Sequence, residues 1–130
     1  MIDLIDVQRH FHKCSGVIIS KWHILTAAHC LQNATYMNIL ILSGKSTTSS
    51  SVVADHLRPS QLEPSKDGTF RPLTKMEIHP EFNIATTAND IAILLVKKPF
   101  DFEKEGLQPA SIFEAVDQIP KAGDICSVAG

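Results

Sequence analysis

Apolar residues along this chain gather in short, β-branched runs separated by turn chemistry, a pattern that predicts strands. Residues 14–19 form one such run. Ser20-Lys21-Trp22 then reads as a turn, and residues 23–26 resume the apolar pattern, so the two runs predict a hairpin. Further strands are expected over 36–43, 51–57, 74–78 and 90–96, with another beginning over 125–129. Pro80 follows Ile78-His79 and closes the 74–78 run, because proline carries no ladder donor. Residues 27–31 and 112–116 invite one helical turn each. Both are far too short for a helix that is stable by itself. The stretches 44–51 and 59–72, rich in Ser, Thr, Gly, Pro and charge, read as surface loops. Strands recurring between turn-rich gaps predict an all-β barrel or sandwich.

Length and charge narrow the picture. The 130 residues fit a single domain, 1–130, able to bury a core. Twelve Lys and Arg oppose fourteen Asp and Glu, for a formal net charge of −2. No large basic field for nucleic acid is expected. No apolar run approaches the length of a transmembrane helix, so no membrane partner is expected. Early acids in Met1-Ile2-Asp3-Leu4-Ile5-Asp6 do not resemble a secretory leader, which leaves a cytosolic protein or a chain whose start lies upstream. Three cysteines, Cys14, Cys30 and Cys126, allow one pair with one left over, or three reduced thiols.

The chemistry concentrates in two blocks. The first is Cys14-Ser15-Gly16, an apolar strand, Trp22, and then Leu25-Thr26-Ala27-Ala28-His29-Cys30. The second is Ile78-His79-Pro80 with Phe82, followed by Asn89-Asp90-Ile91-Ala92-Ile93-Leu94-Leu95. Together they resemble the trypsin-like serine protease family, which places a His block and an Asp block in this order. Cys126-Ser127-Val128-Ala129-Gly130 is similar to the strand that opens the family's connection between its two barrels.

The resemblance implies an antiparallel six-stranded Greek-key barrel, the first of the family's two barrels, matched over about residues 8–130. It makes His29 the general base and Asp90 the carboxylate that orients it. A serine hydroxyl needs such a base to become nucleophilic, and imidazole suits the task near neutral pH. The carboxylate fixes the ring tautomer and stabilises the imidazolium. A Cys14–Cys30 disulfide and a secreted location are implied in the same way. Cys126 is expected to stand unpaired, its family partner lying in the second barrel. No cofactor and no metal are implied.

Other family features do not occur in these residues. None of the six glycines is followed by Asp-Ser-Gly, so the nucleophile block is absent, and the oxyanion hole and specificity pocket go with it. The Ile-Val-Gly-Gly start of mature family enzymes is also absent, and no calcium loop can be placed over 63–75. The expectation is a serine endopeptidase in partial form, inactive alone, whose polypeptide substrate requires a second barrel. The uncovered barrel face would be apolar and open to a protein partner. A non-catalytic homologue that binds or regulates is the alternative.

Two motifs stand apart. His10, His12 and Cys14 alternate on one strand face and could hold a metal with His23 or His56, unless a disulfide consumes Cys14. Asn33-Ala34-Thr35 is a glycosylation sequon with Asn33 as the acceptor.

Overall fold

A computed structural model describes residues 2–6, 11–43, 70–112 and 119–127. Six strands are present among the described residues: β1 (Ile2–Asp6), β2 (Phe11–Ile18), β3 (His23–Thr26), β4 (Ile39–Leu42), β5 (Phe70–Ile78) and β6 (Ala92–Val96). They close into an antiparallel barrel in the order β1-β2-β3-β6-β5-β4. The fourth strand returns beside the first after three successive antiparallel strands, which is the Greek-key arrangement.

Alternation builds the core. On β6, Ala92, Leu94 and Val96 point inward while Ile93 faces out. On β3, Ile24 and Thr26 point inward. Ile24, Ala92, Leu94 and Val96 meet Leu4, Ile18, Ile41 and Leu73 in one apolar cluster. Each fully buried aliphatic side chain there contributes about 1.5–3 kcal/mol. Gly16 of β2 packs directly against core side chains of β3 and β1. A Cβ at that position would lie 2.8 Å from Ile24 Cγ2 and 3.2 Å from both Leu4 Cδ1 and the Leu25 carbonyl oxygen. That crowding is the physical reason for glycine in the Cys14-Ser15-Gly16 motif.

Several elements differ from the sequence expectation. Residues 36–38 form a turn of 3-10 helix, and the strand starts only at Ile39. Strand β5 begins at Phe70, inside the expected loop, and includes Pro72 opposite Leu40. Pro72 is tolerated because its carbonyl is what the fold uses, accepting from Lys97 N–H at 2.8 Å. Asp90 and Ile91 precede β6 instead of belonging to it. β1 was not expected, yet it closes the barrel between β2 and β4. Residues 124–127 are irregular, and Lys121 and Asp124 bond each other across a turn. The strand candidate 51–57 and the loop 44–51 lie outside the described residues, as does the helix candidate beyond Ile112.

After β6 the chain folds back over the barrel. Phe100 N–H bonds Lys21 O and Ala110 N–H bonds Ile18 O, both at 2.8 Å. Between them lies a short helix, α1 (Phe102–Glu105). Asp101 caps it by accepting from Lys104 N–H, and Gly106 ends it at φ +64°. Glu105 reaches back to accept from Asp101 N–H and pairs with the Arg71 guanidinium. Arg71 is fully buried, lies 4.3 Å over the Phe100 ring and donates to Ser43 Oγ.

This pair makes a stability prediction. Glu105→Ala strands a buried guanidinium charge and should cost about 3–5 kcal/mol in denaturant unfolding. The double variant Arg71→Met/Glu105→Leu should be markedly more stable than Glu105→Ala. Equal losses in the two variants would contradict a buried-charge origin.

Candidate active site

The chain leaves β3 through Ala27, which is extended at φ −83°, ψ 142°, and enters a turn of 3-10 helix over Ala28–Leu31. Ala28, Cys30 and Leu31 turn inward and are buried, which leaves His29 as the outward-facing residue of that turn. Cys30 is bonded to Cys14 of β2, with Cα atoms 5.9 Å apart and a sequence separation of 16. In a chain-entropy model, closing such a loop contributes roughly 3 kcal/mol. The bridge ties the His-bearing turn to the neighbouring strand.

Asp90 arrives from the opposite direction, at the end of the β5–β6 connection. That connection is a built turn. Asn83 Oδ1 accepts from Ala85 N–H at 2.9 Å and from Thr86 N–H at 3.3 Å, and Asn83 bridges Ala88. Asn89 adopts φ +57°, a left-handed conformation that asparagine tolerates better than most residues. Its Nδ2 donates to Glu81 O at 3.0 Å, which braces the backbone next to Asp90. His79 N–H bonds Ile91 O on the other side.

His29 and Asp90 meet through two contacts. The His29 backbone N–H donates to Asp90 Oδ1 at 2.8 Å, and ring Nδ1 lies 2.7 Å from Asp90 Oδ2. The His29 ring holds the Asp90 carboxyl below the usual carboxylate range. The backbone N–H of His29 adds to this and that of Ala28 contributes less, while partial burial opposes both. An ionised carboxylate only accepts hydrogen bonds, so Nδ1 carries a proton, and in the neutral ring Nε2 keeps its lone pair. Nε2 lies 3.6 Å from Cys30 Sγ. The His29 side chain is 56% exposed and Asp90 24%, so the ring is reachable while its carboxylate is largely enclosed. Chemically, this is an oriented base: a fixed tautomer whose free nitrogen can take a proton, backed by a negative charge.

Beside the pair, Gly16, Val17, Leu25, Ala27 and Ile91 line an open, mainly apolar groove of about 370 Å³, with Asp90 also in its lining. Ser15 and Thr26 also line it, and Thr26 Oγ1 donates to Ser15 O, which ties β3 to β2.

The other candidate residues are placed as follows. Cys126 is exposed and makes no disulfide among the described residues. Asn33 is exposed at φ +57°, just beyond the His29 turn. The donor atoms of Cys14, His29 and Cys30 lie within 4.8 Å of one another, but both sulfurs are consumed by the disulfide and offer no thiolate. His23 Nδ1 is engaged with Ser20 Oγ at 2.8 Å. His10 and His56, like the His12 side chain, lie outside the described residues. The sequence reading assigned no role to Asn89 or Asn83. The signal was present in the Asn89-Asp90 pair, since asparagine is favoured at left-handed turn positions.

A barrel that presents a histidine and an aspartate in this way defines a class, and sequence comparison agrees with it. The family model for trypsin matches residues 4–130, starting earlier than the 8–130 expected and taking in part of β1. The chain is 32% identical over 112 residues to a trypsin of Phaedon cochleariae, covering 86% of this chain and 38% of that protein. It is 31% identical over 122 residues to a vitellin-degrading protease of Bombyx mori, covering 94% and 39%. With duodenase-1 of Bos taurus the identity is 29% over 119 residues, covering 92% and 40%. This chain belongs to the trypsin family. It spans about two fifths of the length of these relatives.

Two predictions follow from the geometry. A depressed carboxyl pKa means that the stability gained from the His29 contacts is present above the ordinary carboxylate range and lost as pH falls through the folded value. Carboxyl-carbon NMR should therefore show Asp90 titrating lower than a free aspartate, and His29→Ala should move it back up. An Asp90 titration indifferent to His29 would contradict the bonding described. Asn89→Ala removes both the brace to Glu81 and a side chain suited to φ +57°, and should cost about 1–2 kcal/mol on unfolding. Asn89→Gly, which keeps the conformational freedom, should cost less.

Proposed function

We propose that these residues are the first-barrel half of a secreted serine endopeptidase. His29 serves as its general base and Asp90 as the residue that orients the ring. The observation that carries the reading is the 2.7 Å contact between His29 Nδ1 and Asp90 Oδ2, which leaves Nε2 as the acceptor nitrogen of the neutral ring. The nucleophilic serine, the oxyanion donors and the specificity pocket are assigned to a second barrel. The substrate is polypeptide, as the names of the trypsin and vitellin-degrading relatives suggest by analogy. Secretion is supported by the Cys14–Cys30 bridge, since disulfides persist mainly in oxidising compartments.

The outer face of the barrel near the site supports a protein partner. Val17, Ile91 and Ile93 are exposed there, with Leu25 between Val17 and Ile93 in the ladder. Val17, Leu25 and Ile91 of this strip line the groove together with Asp90. A second barrel seated on it would remove the strip from water and bring a hydroxyl toward Nε2.

In this reading the 130 residues alone hydrolyse nothing. Purified chain should not cleave a peptide ester above background, whereas the protein completed by its second barrel should. In the completed protein, Asp90→Asn should lower kcat on the order of 10⁴-fold, the loss known for this change in Ser-His-Asp triads. Ester cleavage by the 130 residues alone, abolished in His29→Ala, would overturn the proposal. A completed protein without turnover would instead mark a non-catalytic homologue that binds or regulates.

A further inference from the structure

We propose that Asn33 carries an N-linked glycan beside the His29 turn. The sequon Asn33-Ala34-Thr35 lies on the surface in the arrangement this modification needs. Asn33 and Thr35 are exposed, while Ala34 between them packs against the core cluster. The inward anchor turns the acceptor amide and the hydroxyl residue outward together. Ala34 N–H bonds Leu31 O at 3.0 Å, and the φ of +57° at Asn33 completes the turn. Among the described residues no hydrogen bond engages the Asn33 carboxamide or the Thr35 hydroxyl, so attaching a sugar breaks no contact there.

Asn33 lies four positions after His29, a span of at most about 14 Å even for extended chain. The glycan therefore stands at the rim of the His29–Asp90 site and outside the barrel core. In the transfer step, Asn33 Nδ2 attacks the anomeric carbon of an oligosaccharide carried on a lipid diphosphate. A carbon–nitrogen bond forms and the sugar–phosphate bond breaks. The lipid diphosphate leaves with the electron pair, and one amide proton passes to a base of the transferase.

This inference rests on the secretory reading, and one experiment separates the two. The full-length protein is isolated from the medium of eukaryotic secretory cells and divided. One portion is treated with peptide-N-glycosidase and its peptides are weighed. The other is alkylated without reduction to score Cys14 and Cys30. The expected result is conversion of Asn33 to Asp by the glycosidase, a bridged Cys14–Cys30, and loss of the conversion in Thr35→Val, which keeps the size of the side chain. An unmodified Asn33 in protein with the bridge intact would overturn the glycan and leave the compartment reading standing. An unmodified Asn33 together with alkylated Cys14 and Cys30, or a protein retained in the cytosol, would overturn both.

Discussion

The pairing of β3 with β6 is the constraint on which the rest of this structure depends. Their register sets Thr26 opposite Ala92. The strands are antiparallel, so the residues just after Thr26 and just before Ala92 emerge at the same end of the barrel. His29 lies three positions beyond one, and Asp90 two positions before the other. A slip of one residue would exchange the inward and outward faces of both strands and remove the core as well as the meeting of the two side chains. The same contacts that bury Ile24 and Leu94 therefore determine the site. Stability and chemical geometry share one cause here.

Secondary constraints hold this arrangement in place. On the His29 side, the disulfide to β2 and the buried Ala28 and Leu31 leave the 3-10 turn little freedom. On the Asp90 side, two asparagines supply bonds within a connection that has no helix or strand ladder of its own. The carboxylate is thus approached by donors from the His29 turn while its own backbone is fixed by the asparagine turn. Gly16 lets β2 approach closely enough for Thr26 to bond Ser15. The returning segment with α1 closes another side of the barrel, through the buried Arg71–Glu105 pair.

How much of this was legible in the sequence depended on whether the cause was local. The β2–β3 hairpin could be read because its turn, Ser20-Lys21-Trp22, lies between two apolar runs. The family and the candidate pair could be read because His29 and Asp90 stand in distinctive blocks. β1 was hidden by its acids. Asp3 faces partly outward while Ile2 and Leu4 face in, but the register shift after Leu4 leaves Ile5 and Asp6 both buried and breaks the alternation. The start of β5 was hidden by Pro72, whose missing donor argues against a strand until Lys97 supplies a bond to its carbonyl. Long-range pairing was not legible at all, since β3 meets β6 across more than sixty residues and no local pattern encodes that partner. The helix α1 had its signals in Asp101 and Gly106, which frame it as N-cap and left-handed stop.

The central claim is that this fold alone orients the His29 ring against Asp90. Nitrogen NMR of the imidazole in these 130 residues tests it most directly, at a pH where the ring is neutral. The account predicts a proton on Nδ1, slowed in exchange by its bond to Asp90, and a bare Nε2; Asp90→Ala should release the tautomer. A ring protonated at Nε2, or one whose tautomer ignores Asp90, would contradict it.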